Sequence, residues 1–379
     1  MDTSVWRVLP DAGPLVAPAG RGPLDGETVA VKDLFAVAGQ RVGAGNPEWL
    51  EQAREEPEHA WAVARLLEAG AAVRGIARTE EFAWSLTGAN AHYGTPPNPA
   101  APGRVSGGST SGPATAVAAG EVSVGLGSDT WGSIRVPAAY QGLWGHRPTQ
   151  GAVPGDGALP LARSFDTVGW LTRDAGLLVR VGDVVLPPDT ATASGAPLVA
   201  TDLLDQAEPD VRGAVARATR HLAAAPTAWA VPDAWIEALR AVQAAEAWAA
   251  HGAWVGPRLD RIGPAVRGRF TFAATVTPEQ ADAARAVVTR AGAEIRDRLG
   301  DDVLVLPSAS SVAPVADPAA AEAVRRATVA VTSVAVLAGL PAVSVPVTTA
   351  DGLPAGLSLV GPPGSDRALL RRAAELATA

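Results

Sequence analysis

The stretch Gly127-Ser128-Asp129-Thr130-Trp131-Gly132-Ser133-Ile134-Arg135-Val136-Pro137-Ala138 reads as a strand end, a loop and a helix start in quick succession. Val122, Val124 and Leu126 alternate as strand residues do, the glycines and hydroxyls of 127–133 read as a loop, and Ile134-Arg135-Val136-Pro137 opens a helix. A serine at such a junction lies among backbone N–H groups that no carbonyl takes, and these can stabilise an oxyanion. Ser133 is that serine, and Thr130, Trp131, Gly132 and Ser133 are the candidate donors. A second loop over residues 94–112 ends in Gly107-Gly108-Ser109-Thr110-Ser111-Gly112. Pro113 follows as a first helical residue, and the helix runs on until Gly120 stops it.

Of the 31 basic side chains, 30 are arginine and one is lysine, Lys32. Arginine replaces lysine at most solvated positions but not where the cation must lose its proton, because guanidinium stays charged above about pH 12. Coding bias is the plain explanation of the count. The setting favours a chemical one, since Thr28-Val29-Ala30-Val31-Lys32-Asp33-Leu34-Phe35-Ala36-Val37 has the composition of a buried strand. Burial lowers the pKa of a lysine by up to roughly 3–5 units from about 10.4, which makes it a usable base. Ser109 could then relay a proton between Ser133 and Lys32.

Other chemistries fit the two loops less well. A phosphate loop needs GxxxxGK[ST], and neither loop holds a lysine; neither supplies GxGxxG. A nucleophile elbow GxSxG is a near miss at Ser109, with His92 or His146 as its base. The chain has no cysteine, which removes disulfides, thiolate metal sites and cysteine nucleophiles. His59, His92, His146, His221 and His251 form no HxxxH pair, so no metal site is expected. A net charge of −8 argues against a nucleic-acid groove and an anionic membrane surface. No apolar run reaches the length of a membrane span, and Met1-Asp2-Thr3-Ser4-Val5-Trp6 is unlike a signal peptide, so cytoplasm is the expected location.

With 379 residues, 47% of them hydrophobic and 18% charged, the chain is globular and long enough for a sizeable core. Beyond the Pro- and Gly-rich lead-in of 1–27, strands are expected at Lys32 and over 71–76, 303–306 and 342–347. Helices are expected over 60–67, 209–225, 233–251, 278–299 and 318–338. The acidic run 51–58 reads as a solvated helix face. Strands interleaved with helices predict an α/β fold with a mixed sheet.

The two loops, with Val31-Lys32-Asp33 upstream and Gly145-His146-Arg147-Pro148-Thr149 and Ser164-Phe165-Asp166-Thr167-Val168-Gly169 downstream, resemble the amidase signature family. Gly339-Leu340-Pro341-Ala342-Val343-Ser344-Val345-Pro346 and Gly352-Leu353-Pro354-Ala355-Gly356-Leu357 continue the resemblance. It is dense over 28–174, thin after that, and returns at about 303–375. Gly45-Asn46-Pro47-Glu48-Trp49 and His92-Tyr93-Gly94-Thr95-Pro96 are nearest to its indole-3-acetamide amidase branch. The resemblance implies an α/β/α sandwich around a large mixed β-sheet. It reads 1–379 as one domain, with a signature core at 28–174, a variable substrate-side region at 175–300 and a C-terminal completion at 301–379.

The resemblance also implies a triad: Ser133 as acyl-forming nucleophile, Ser109 after a cis Gly108–Ser109 peptide as proton shuttle, and Lys32 as base and later acid. Gly108, Thr110, Asp129 and Arg135 would support the loops, and Trp84 and Trp131 would touch substrate. The implied reaction is hydrolysis of the C–N bond of a small, apolar or aromatic carboxamide, without cofactor. A non-catalytic binding module on the same fold, and an acyltransferase passing the acyl group to an amine, stay open as alternatives, as does a homodimer. Two departures stand out. Trp131 replaces a glycine usual in the family, and would be strained if the position needed a positive φ. Thr110 replaces a common serine but keeps the hydroxyl.

Overall fold

A computed structural model of the chain describes residues 1–222 and 224–376. Eleven strands form one mixed sheet. In chain order they are β1 (Trp6–Val8), β2 (Thr28–Lys32), β3 (Ala72–Ala77), β4 (Val124–Asp129), β5 (Trp144–Arg147), β6 (Thr167–Thr172), β7 (Pro197–Ala200), β8 (Ala225–Thr227), β9 (Val303–Pro307), β10 (Ala342–Thr348) and β11 (Pro354–Val360). Across the sheet the order is β1-β3-β2-β4-β6-β5-β10-β11-β9-β7-β8. β1 pairs antiparallel with β3 at one edge, β3, β2 and β4 run parallel beside it, and β9, β7 and β8 run parallel at the other end; the central pairings are antiparallel.

Helices cover both faces, as the alternation of side chains shows. Val29 and Val31 of β2 enter one hydrophobic cluster and Ala30 another; Trp170 and Leu171 of β6 divide in the same way, as do Val305 and its neighbours Leu304 and Leu306. The first cluster packs the helices Trp61–Glu68, Ala175–Val185 and Asp366–Glu375 on the sheet. On the opposite face lie Ser111–Ala118 and Arg135–Gln141 and, further along, Pro278–Leu299 and Pro318–Ala338. The fold is the α/β/α sandwich around a large mixed sheet that the sequence implied.

Several expected boundaries move. The strand before Ser133 runs to Asp129, because Ser128 and Asp129 pair with Val168 and Thr167 of β6, so the loop is only five residues long. The next helix upstream begins at Ser111, two residues before Pro113. The acidic run 51–58 is not a helix: the helix Pro47–Gln52 ends there, and Arg41 pairs with Glu55 as an isolated bridge. The helix expected over 209–225 stops at Ala218, followed by a 3₁₀ turn at Thr219–Leu222; residue 223 lies outside the described residues, and β8 begins at Ala225.

Candidate active site

Lys32 is the last residue of β2, and β4 beside it ends at Asp129; loops at the C-terminal ends of parallel strands are where α/β folds place ligands. The Lys32 side chain is fully buried. Its Nζ donates to Ser109 Oγ at 2.9 Å, Thr110 Oγ1 at 3.0 Å and Ser128 Oγ at 2.9 Å. Three hydroxyls can accept from an ammonium but none carries a compensating charge. Burial therefore lowers the Lys32 pKa from its ordinary 10.5 to about 7, against the opposing pull of Glu80, Asp166 and Asp129. Thr110 thus keeps the hydroxyl contact of the serine it replaces.

Ser109 follows a cis Gly108–Ser109 peptide and is buried. Its carbonyl accepts from Thr79 Oγ1 at 3.0 Å and from the Glu80 N–H at 3.3 Å. Only glycine fits at 108, since a Cβ there would fall 2.0 Å from Glu80 Oε1. Glu80 itself is buried with a raised pKa and takes the N–H of Gly88 at 2.5 Å.

The five-residue loop is held from below by one carboxylate. Asp129 accepts from the N–H groups of Gly132 and Ile134 at 2.7 and 3.2 Å, from Arg135 Nε and Nη2 at 3.0 Å each, and from Arg147 Nη1 at 3.1 Å. Burial alone would raise the Asp129 pKa; Arg135 and Arg147 overcome it and hold the carboxyl well below the usual range. Arg147 also donates to the Asp129 carbonyl at 2.5 Å and to Phe165 O at 3.2 Å. Asp166, pushed up to about 6 by burial, accepts from Thr130 Oγ1 at 2.5 Å and ties the loop to Leu161 and Ala162.

Gly132 carries the loop's positive φ, +115°, and an added Cβ would meet Thr332 at 3.0 Å. Trp131 is outside that region, so the strain anticipated for a tryptophan there does not arise. Its indole instead anchors the loop to the helix Pro318–Ala338: Nε1 donates to Ser333 Oγ at 2.9 Å, and its carbonyl accepts from Thr332 Oγ1 at 3.2 Å. Of the four candidate oxyanion donors, the N–H of Gly132 is taken by Asp129. Those of Thr130, Trp131 and Ser133 meet no acceptor among the described residues.

Ser133 opens on a chamber of about 20 Å³ lined by Trp84, Trp131, Gln243, Arg325 and Val329 among others; these five also line an outer cleft of about 1030 Å³. Trp84 is fixed by its Nε1 donating to Gln243 Oε1 at 3.2 Å. Ala83, on the chamber wall, and Phe82 before it both have left-handed backbones, φ +56° and +48°, held by the bonds Ala83 N–H to Glu80 O and Phe82 N–H to Ala44 O. A second cavity of about 200 Å³ meets the chamber at Ala83, Thr130 and Leu161 and extends to Ser128 and Asp166. No hydrogen bond links Ser133 Oγ to Ser109 among the described residues.

Lys32, Ser109, Thr110, Asp129, Arg135, Ser133 and Trp131 are therefore drawn to one place, with Trp84 on the same wall. Sequence reasoning assigned no role to Glu80, Ser128, Arg147, Asp166, Gln243 or Arg325. Ser128, Arg147 and Asp166 stood within motifs already quoted; Glu80, Gln243 and Arg325 left no signal.

The family model described as Amidase matches residues 15–251 and 259–370. Amidase 1 of Arabidopsis thaliana is 36% identical to the chain over 92% of it and 91% of the relative. Outer envelope protein 64, chloroplastic, of Arabidopsis thaliana is 30% identical over 96% of the chain and 68% of the relative. A solved structure described as an amidase superimposes with a TM-score of 0.83 at 30% identity, covering 95% of this chain and 86% of that one. The chain belongs to the Amidase family, hydrolases of amide C–N bonds.

Proposed function

We propose that the chain hydrolyses a small carboxamide with an apolar or aromatic acyl group through an acyl-enzyme on Ser133. The observation that carries this reading is the buried Lys32 Nζ, 2.9 Å from Ser109 Oγ, whose pKa of about 7 leaves about half of it neutral at neutral pH. Ser133 Oγ attacks the amide carbon while its proton passes to Ser109 and on to Lys32. The N–H groups of Thr130, Trp131 and Ser133 face the developing oxyanion. Collapse expels the amine, which takes the proton back along the same path, and water then repeats the sequence to release the acid. The relay closes when substrate brings Ser133 into line, because catalytic hydrogen bonds often tighten only in the complex.

Among the described residues no helix is long and apolar enough to cross a membrane. We take the cytoplasm as the location and residues 1–379 as one functional unit, both as proposals.

Intact-protein mass after treatment with a fluorophosphonate tests the reading without knowledge of the substrate. The expected result is one adduct on the wild type and none on Ser133→Ala. Absence of an adduct on folded wild type would favour a non-catalytic binding module on the same fold. If the adduct forms, product analysis with an added amine separates hydrolysis from acyl transfer.

The tight chamber sets a second expectation. At about 20 Å³ it holds only the reacting end of a substrate, and Trp131 stands between it and the adjoining cleft of about 1030 Å³ where the rest of the acyl group would lie. Trp131→Ala should raise the ratio of kcat/KM for benzamide to that for acetamide by about tenfold or more. An unchanged ratio would mean that the indole does not bound the acyl position.

A further inference from the structure

Gln243 interrupts a buried face of its helix. Leu239, Gln243, Ala247 and His251 follow one another at four-residue spacing along the helix Asp233–Val255, and all four are buried. A leucine or methionine at 243 would fill the same space without stripping water from an amide. The amide is nevertheless there, on a residue only 5% exposed, and it lies where the chamber around Ser133 opens into the outer cleft, lining both.

The sense of that amide is fixed. An indole N–H can only donate, so the 3.2 Å bond from Trp84 Nε1 holds Oε1 and leaves Nε2 on the other edge. Nε2 carries two N–H groups and meets no acceptor among the described residues, yet it is not sealed in, so it faces the cavity. Its neighbours on the chamber wall are already engaged: Thr130 Oγ1 with Asp166, Ser85 Oγ with Thr87 and Trp131 Nε1 with Ser333. Trp84 is held a second time, through its carbonyl, by Arg269 Nη1 at 2.5 Å. The chamber wall therefore presents a buried, rigidly held and unmatched donor.

We infer that the acyl group of the substrate, otherwise apolar, carries one neutral hydrogen-bond acceptor, an ether oxygen or a ring nitrogen, which takes a hydrogen bond from Gln243 Nε2. The inference rests on the amidase reading and narrows its acyl group. Trp84 and Trp131 give the carbon skeleton apolar walls where chamber meets cleft. An acyl group of carbon and hydrogen alone would displace water from Nε2 and leave it unpaired, which weakens binding. A donor on the substrate has no equivalent partner, because Oε1 already accepts from Trp84. Gln243 on this account sets specificity and takes no part in breaking the amide bond.

The test is a tryptophan-fluorescence titration of Ser133→Ala with two pairs of amides, each pair differing at one position. The first is methoxyacetamide against butanamide. The second is a pyridylacetamide, its nitrogen meta to the side chain, against phenylacetamide. Oxygen replaces a methylene in one and nitrogen a ring C–H in the other, so shape is kept while the acceptor is placed at two depths. In one pair or both, the acceptor-bearing member is expected to bind at least about fivefold tighter, the effect of a neutral hydrogen bond. Gln243→Met in the same background should bring that ratio to within about twofold, while the acceptor-free member keeps its affinity within about twofold. Equal affinities in both pairs, no binding of any of the four, or a preference that survives Gln243→Met would overturn the inference. So would an equal loss for both members of a pair in that variant, which would make Gln243 a prop for Trp84 and nothing more. Ammonia release from the same four amides by the enzyme with Ser133 intact separates this inference from the amidase reading. Ammonia without an acceptor preference in binding keeps the amidase and removes the role of Gln243. A preference that depends on Gln243, with no ammonia from any of the four, keeps the acceptor site and removes the amidase reading.

Discussion

Lys32→Met is expected to lower kcat/KM for amide hydrolysis by about 10²–10⁴-fold, the range lost with a general base, while leaving the protein at least as stable as wild type at neutral pH. The two halves of this result share one cause. Burial holds the Lys32 pKa near 7 against an ordinary 10.5, a gap that corresponds to about 5 kcal/mol of cost for keeping the ammonium in the fold at low pH. Between those two pH values the unfolded chain binds a proton that the folded chain does not, so wild-type stability rises with pH across that window. Methionine fills the space without the charge and removes both the cost and the base; the loss of three hydrogen bonds to Ser109, Thr110 and Ser128 offsets part of the gain. The wild-type rate, in turn, falls as pH drops through about 7 and Lys32 takes its proton. Denaturant midpoints and a pH–rate profile check both halves. A folded methionine variant that retains the wild-type rate and pH profile would remove Lys32 from the chemistry, and one that unfolds at lower denaturant than wild type would overturn the stability half.

The burial of Lys32 in a strand was legible in the sequence from its apolar neighbours, and a single lysine among 30 arginines drew notice because guanidinium cannot give up its proton as an amine can. The two loops were legible for a similar reason: glycine and hydroxyl clusters at strand–helix junctions are local features. The parts that were not legible reach the site from elsewhere. Arg147 lies on β5, separated from β4 in the sheet by β6, and a four-residue strand containing glycine and histidine gives a weak period-two signal. Arg325 and Ser333 come from a helix about 200 residues beyond Trp131, and nothing in an alanine-rich amphipathic sequence says which face meets the loop. Left-handed Phe82 and Ala83 are also silent in sequence, because only tertiary contacts put non-glycine residues there. The extension of β4 to Asp129 follows from pairing with β6, which overrides the turn-like composition of Gly127 and Ser128.

Asp129→Ala is expected to destabilise the fold by about 3–5 kcal/mol, the usual consequence of removing one partner of a buried ion pair. Arg135 and Arg147 are both buried and would be left facing each other across the vacated carboxylate, with burial already holding Arg147 down to about 10. The N–H groups of Gly132 and Ile134 would lose their acceptor at the same time. Asp129→Asn separates these effects, since its amide oxygen can still accept a backbone N–H while the negative charge is gone; its loss should fall between alanine and wild type. The sign of the pH dependence follows from the depressed carboxyl. Its contribution to stability is complete above the ordinary carboxylate range and is lost as pH falls toward its folded-state pKa, so the difference between wild type and Asp129→Ala should shrink in strong acid. Urea unfolding of the three proteins at neutral and acid pH checks the order. A cost below about 1 kcal/mol for alanine would show that the loop keeps its shape without this anchor. In that case the free N–H groups of Thr130, Trp131 and Ser133 would owe their alignment to the Trp131–Ser333 contact on the far helix, and Ser333→Ala would become the more damaging change.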